Sequence, residues 1–172
     1  LTKKEELMKA VMESLDQQFI LAKFRIGSEM QNRKRLFSKE YEIQLLSEAI
    51  ELSEKFYEKN HVLLRLFRLL FQLYDATEKD PIFEKLKELF SESFRELRTF
   101  DQSLFLTQLI NYTIRKINIG ETAYYKEALD LYKVSLEANL VLKDGSIDEA
   151  VYGNIVLLGC HAKEFHWVEG FL

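Results

Sequence analysis

Apolar side chains return every three or four residues near the start of the chain, at Leu7, Val11, Leu15, Phe19, Ala22 and Ile26. Steps of this size line up one face of an α-helix. Thr2 followed by Glu5 is a capping box, in which a hydroxyl and a carboxylate each satisfy an orphan amide of the first turn. Whether the helix continues through Gly27-Ser28 to Phe37 is open at this point, since a mid-helix glycine costs about 1 kcal/mol against alanine. Ser38 can cap a second helix with Tyr41, Leu45, Ala49, Leu52 and Phe56 on its inner face, and Asn60-His61 reads as a break. Residues 61–74 are apolar except for His61, Arg65, Arg68 and Gln72, which fall at i, i+4, i+7 and i+11. A helix with one narrow polar stripe is surrounded on most sides and reaches water along that strip.

Asp80-Pro81 opens the next helix as N-cap and first-turn proline, and the pattern runs to about Leu97. Asp101 starts another, reaching about Ile117, with Gly120 in the turn that follows. A helix over 121–142 is expected to end at Lys143-Asp144-Gly145, where glycine suits a left-handed cap. Ser146 with Glu149 is a second capping box, for a helix to about Ala162, and a last helix begins just before the chain stops. No sustained apolar/polar alternation of the kind a half-buried strand needs is present. The expected fold class is all-α, with about 7–8 helices.

Three segments share one pattern: Phe83–Phe90, Tyr125–Tyr132 and Phe165–Leu172. Each opens on an aromatic, places an aliphatic three residues later and closes on an apolar pair. The starts lie 42 and 40 residues apart, and a looser copy (Leu46, Ala49, Leu52) begins 37 residues before the first. Recurrence at this period is the mark of stacked helix pairs, each unable to bury its apolar face without a neighbour. No Pro-, Gly- or Ser-rich linker interrupts the chain, so 1–172 reads as a single array, with 1–37 an N-terminal helical region and 38–172 the repeats. A start at Leu1 and an end inside the fourth unit's second helix lead us to expect a piece of a longer protein.

The fourth unit, Tyr152-x-x-Ile155-Val156-x-x-Gly159-x-x-x-x-x-Phe165-x-x-Val168-x-x-x-Leu172, resembles a tetratricopeptide repeat in its spacing of bulky and small residues. The third unit matches through Tyr125, Ala128 and Tyr132. Two features depart from that family: the period near 40 exceeds its 34, and the loops Asn118–Tyr124 and Asp75–Ile82 are longer than its norm. The string Asn111-Tyr112-x-Ile114-Arg115-Lys116-Ile117-Asn118 is also similar to a group of uncharacterised bacterial helical-repeat proteins. The resemblance implies an α-α superhelix of antiparallel helix pairs whose first helices line a concave groove. It further implies a non-enzymatic scaffold that binds a peptide or protein partner there.

Offsetting the first helices by 43 residues aligns Arg68 with Asn111 and Asn111 with Asn154. With Arg65, Gln72, Gln108 and Arg115 they would form a polar ladder along the implied groove, either touching a peptide or bonding between helices. Family members that clamp a carboxylate use a second Asn, and its positions here hold Phe71, Ile114 and Leu157.

Composition narrows the function classes. Among 172 residues, 47% are hydrophobic and 30% charged, which is ordinary for a folded globular chain. A net charge of -4 argues against a dedicated nucleic-acid binder, and so against the base-per-repeat reading of pentatricopeptide arrays. Arg33-Lys34-Arg35 is a short basic cluster that reads as solvated charge. The longest apolar run, Val62–Tyr74, is too short for a membrane span and contains Arg65 and Arg68. One cysteine excludes an internal disulfide, and a cytoplasmic location is the expectation. Cys160, His161 and His166 fall short of a zinc site: the whole chain has one Cys and three His, and neighbours on a helix point about 100° apart. No nucleophile-base set or glycine-rich phosphate loop is present, so neither catalysis nor a cofactor is expected. Trp167 is expected to cover an interface to a following repeat, and that C-terminal edge could also pair with a second copy.

Overall fold

A computed structural model of the chain describes residues 2–37, 42–56, 61–76, 80–143 and 145–172, with the side chains of 35–37 and 143 outside that description. Among the described residues there are eight α-helices: α1 (Lys3–Phe37), α2 (Leu46–Glu54), α3 (Val62–Asp75), α4 (Asp80–Ser93), α5 (Thr99–Asn118), α6 (Tyr124–Glu137), α7 (Glu149–His161) and α8 (Phe165–Phe171). A 3-10 turn, Phe94–Glu96, extends α4 toward Leu97. The chain divides into two compact units at Leu89–Phe90, within α4.

In the first unit α1 packs against both α2 and α3. Its start is the expected capping box: the Thr2 amide donates to Glu5 Oε2 at 2.6 Å and the Glu5 amide to Thr2 Oγ1 at 3.3 Å. The helix does run through Gly27-Ser28. A Cβ on Gly27 would sit 3.0 Å from Phe71 Cζ and 3.2 Å from Leu46 Cδ1, so hydrogen is what permits the close approach of α3 and α2. Phe24 lies 5.6 Å from Phe67 and 5.2 Å from Phe71 between ring centroids, and these three rings form the centre of this core. Helix α2 begins later than expected, after Leu45, whose left-handed φ of 60° lies outside the helix and whose side chain is exposed instead of on the inner face, while Ala49 and Phe56 are buried as expected. The caps and contacts expected of Ser38, Tyr41 and Asn60 lie outside the described residues. Helix α3 buries seven side chains, with Arg65 and Arg68 half-buried and Gln72 exposed along the expected stripe.

In the second unit α5, α6, α7 and α8 pack each against the next. Phe105 of α5 packs 6.0 Å from Phe90, which meets Phe94 edge-on at 5.4 Å. Helix α5 starts two residues before Asp101, whose acidic group then lies in the first turn, where the helix dipole favours it. The expected helix over 121–142 is shorter: α6 stops at Glu137, and Asn139 takes the left-handed conformation. The Leu140 amide then donates to the Ser135 carbonyl at 2.8 Å, which satisfies one of the terminal acceptors. A two-strand antiparallel hairpin follows, β1 (Leu142–Lys143) paired with β2 (Ser146–Ile147), with Gly145 at φ +80° in its turn. Two-residue strands carry no alternation for a sequence reading to find. Ser146 is therefore in a strand, and the cap of α7 is Asp148, whose Oδ1 accepts from the Ala150 amide at 3.0 Å.

The recurrent segments share one packing feature. Three residues after each opening position the side chain is buried: Ala49, Leu86, Ala128 and Val168. The opening aromatic is less uniform, since Phe83 is buried while Phe165 is exposed. At α7–α8 the approach is so close that a Cβ on Gly159 would collide with Val168 Cγ2.

Candidate functional site

A recess of about 380 Å³ opens in the second unit between α5, α6 and the segment that joins α6 to α7. Its α5 wall is a row at steps of four, Ser103, Thr107 and Asn111, which helical geometry stacks on one face. Leu106 and Ile110, both buried, form the apolar floor beside that row. Tyr132 and Ser135 of α6 close the back, and Leu140, Val141, Asp148 and Val151 supply the far rim.

Polar groups in this recess are held in place by their neighbours. The Tyr132 hydroxyl shares a hydrogen bond with the Asn154 side chain, and burial pushes its phenol above the ordinary value. Thr107 Oγ1 donates to the Ser103 carbonyl at 2.8 Å. Asn111 is half-buried on the wall, and its amide carries both donors and an acceptor. Among the described residues, Asp148 is the single charged side chain lining the recess. The described lining is thus mixed, with hydroxyls, an amide and one carboxylate beside an apolar floor.

The residues of the expected ladder are placed as follows. Asn111 lines the recess, and Asn154 lies one hydrogen bond behind it through Tyr132. Arg115 is exposed one helical turn beyond Asn111, its guanidinium 5.7 Å from the Tyr112 ring centroid. Gln108 is buried at 4% exposure, so it faces the helix packing and not a groove surface: residue 108 falls on the side of α5 that packs inward. In the first unit Arg68 pairs with Glu54 of α2 at 3.1 Å, Arg65 is half-buried and Gln72 is exposed.

Sequence reasoning missed Ser103, Thr107, Tyr132 and Ser135. The i, i+4, i+8 row on α5 was present to be read, but the 43-residue offset passed over it. The rim from Leu140 to Asp148 depends on the hairpin, for which the sequence carried no signal.

Other polar clusters form ion pairs and ring contacts. Lys126 Nζ donates to Glu164 Oε1 at 2.7 Å, and Lys133 lies 3.7 Å from the same carboxylate and 4.8 Å over the Trp167 ring. Trp167 also stacks on Phe171 within α8, at 5.2 Å between ring centroids. His161 stacks on Tyr125 at 4.3 Å, next to the exposed Cys160. Arg33 pairs with Glu29 at 3.0 Å along α1. Among the described residues no group of three His, Cys, Asp or Glu could hold a metal ion, and no helix is long and apolar enough to cross a membrane. Compared with protein-family profiles, with curated proteins and with solved structures, the chain matches none.

Proposed function

We propose that the chain is a non-enzymatic interaction scaffold, a tetratricopeptide-like superhelix of antiparallel helix pairs that holds a peptide of a partner protein. The observation that carries this reading is the recess walled by Ser103, Thr107 and Asn111. Its neutral hydroxyls and amide offer an extended peptide hydrogen bonds for its backbone, and Leu106 and Ile110 offer a seat for one apolar side chain. Helical walls need little ordering on binding, so less of the contact energy is lost to entropy. The buried third-following residue of all four segments supports a repeated packing unit behind such a surface.

Selection from a random peptide display library against the whole chain tests this. Enriched peptides should share an apolar anchor and carry no excess of acidic residues, because Asp148 is the one charge among the described residues that line the recess. Thr107→Trp, which fills the recess from an exposed position, should weaken their binding at least about tenfold while leaving the melting temperature nearly unchanged. Enrichment that is indifferent to Thr107→Trp and to Asn111→Ala would remove the recess from the account.

A further inference from the structure

Helix α1 has two apolar faces, and only one is covered. At 100° per residue, Ile20, Phe24 and Ser28 centre on one side and are buried against the rest of the first unit. Leu7, Met8, Val11, Met12, Leu15 and Phe19 centre about 180° away from them. The first five of these are 52–65% exposed, and every side chain from Thr2 to Met12 is exposed. A helical segment of this length without packing is marginal in water, where nucleation is costly and apolar surface is unfavourable. Six such side chains at on the order of 100 Å² each, doubled across two copies, reach roughly 1,200 Å², the lower end for a specific stable interface.

The charges beside this face say what covers it. Glu5, Lys9, Asp16 and Lys23 fall along one flank within about 40° of arc, with alternating sign. Antiparallel pairing of a helix with its own copy reverses that order, so negative meets positive along the whole flank. A register centred near Glu13 sets Leu7 opposite Phe19 and Val11 opposite Leu15 of the second copy, and brings Lys9 within one residue of facing Asp16. Two-fold symmetry makes the Lys9–Asp16 contact twice. Lys23 already donates to the Gln44 carbonyl at 2.8 Å, which leaves Lys9 and Asp16 to set the direction. Parallel pairing would place this flank against the other one, where Lys3, Ser14, Gln18 and Arg25 offer it no carboxylate.

We infer that the first half of α1 is a self-association surface, through which two copies of this chain pair antiparallel. This is independent of the peptide recess, which lies in the other unit. Light scattering or sedimentation equilibrium over the micromolar range tests it. The mass should rise from 20.4 kDa to twice that value with concentration. Val11→Glu with Leu15→Glu should hold the chain at the monomer mass with an unchanged helical spectrum, because both positions are exposed in the single copy. Lys9→Glu should weaken the dimer about tenfold, and adding Asp16→Lys should restore it, since the charge pair is reversed and not removed. A monomer at every concentration overturns the proposal, as does a dimer that survives Val11→Glu with Leu15→Glu. Failure of the double reversal to restore pairing overturns the antiparallel arrangement. A monomer that instead binds anionic lipid vesicles would assign the face to a membrane surface and also overturn it.

Discussion

Helix α3 and the first half of α1 are both rich in apolar residues, yet they meet opposite fates. In α3 the apolar positions run almost all round the helix, and seven of its side chains are buried. In α1 the apolar positions recur with textual regularity from Leu7 to Phe19, and that stretch stands in solvent. The difference teaches that a regular spacing specifies a face and says nothing of what lies against it. An all-round apolar helix has no solvated arrangement open to it, whereas a one-sided helix can turn its apolar side to a core or to another molecule.

The largest effect that would sharpen this comparison comes from truncation at matched positions. Phe67→Ala should destabilise the chain by about 3–5 kcal/mol, because it empties the space beside Phe24. Leu15→Ala should change monomer stability by less than about 0.5 kcal/mol, because its side chain is exposed. Urea unfolding at concentrations that hold the monomer checks both, and comparable losses would erase the distinction.

A smaller contrast exists within α7. Gly159→Ala should cost about 1–3 kcal/mol, since its Cβ would collide with Val168 and α8 must move away. Gly153→Ala meets open space and should stabilise by about 0.5–1 kcal/mol through helix propensity alone. Ala128→Leu, at a fully buried position between helices, belongs with Gly159 and should also cost about 1–3 kcal/mol. If all three changes had the same sign, close helix approach would not be what constrains this unit.

The smallest effects are electrostatic. Hydrogen bonding from Lys126, with the nearby Lys133 charge, holds the Glu164 carboxyl below its usual range. A folded-state pKa below the unfolded one means that the contribution is present above the unfolded value and is lost as pH falls through the folded one. Trp167 fluorescence, which reports on α8 beneath Lys133, should therefore shift on acidification, and Glu164→Gln should abolish that shift. The Glu5 carboxyl is lowered as well, by the Thr2 amide, so acid should fray the first turn of α1 over a similar window. A helical signal from that turn insensitive to acid would show that the capping box contributes nothing measurable.

Much of the helical outline was legible because its signals are local. The Thr2–Glu5 box and the apolar stretch from Val62 each act through neighbours within a turn or two and appear where the residues place them, while α4 starts at Asp80 itself, one residue before the expected first helical position at Pro81. Less legible were features set by competition between local choices. Ser146 with Glu149 was as good a capping box as any, but pairing of Ser146 with Lys143 took it into a strand and left the cap to Asp148. Helix α6 lost its last turn to the same hairpin and to the left-handed Asn139. Of the seven residues of the expected polar ladder, Asn111 lines the recess, whereas Gln108, three residues before it on α5, turns inward.

By itself the sequence determined that the chain is helical, where some of its helices start, and that a small or aliphatic residue recurs three positions into each repeated segment. These follow from hydrogen bonding and side-chain size acting over a few residues. Only the tertiary structure decided that Gly27 is where α2 and α3 approach α1, that Tyr132 and Asn154 brace a recess, and that the more regular face of α1 is left uncovered. Those outcomes depend on which surfaces meet across long stretches of chain, and no spacing within a helix carries that information.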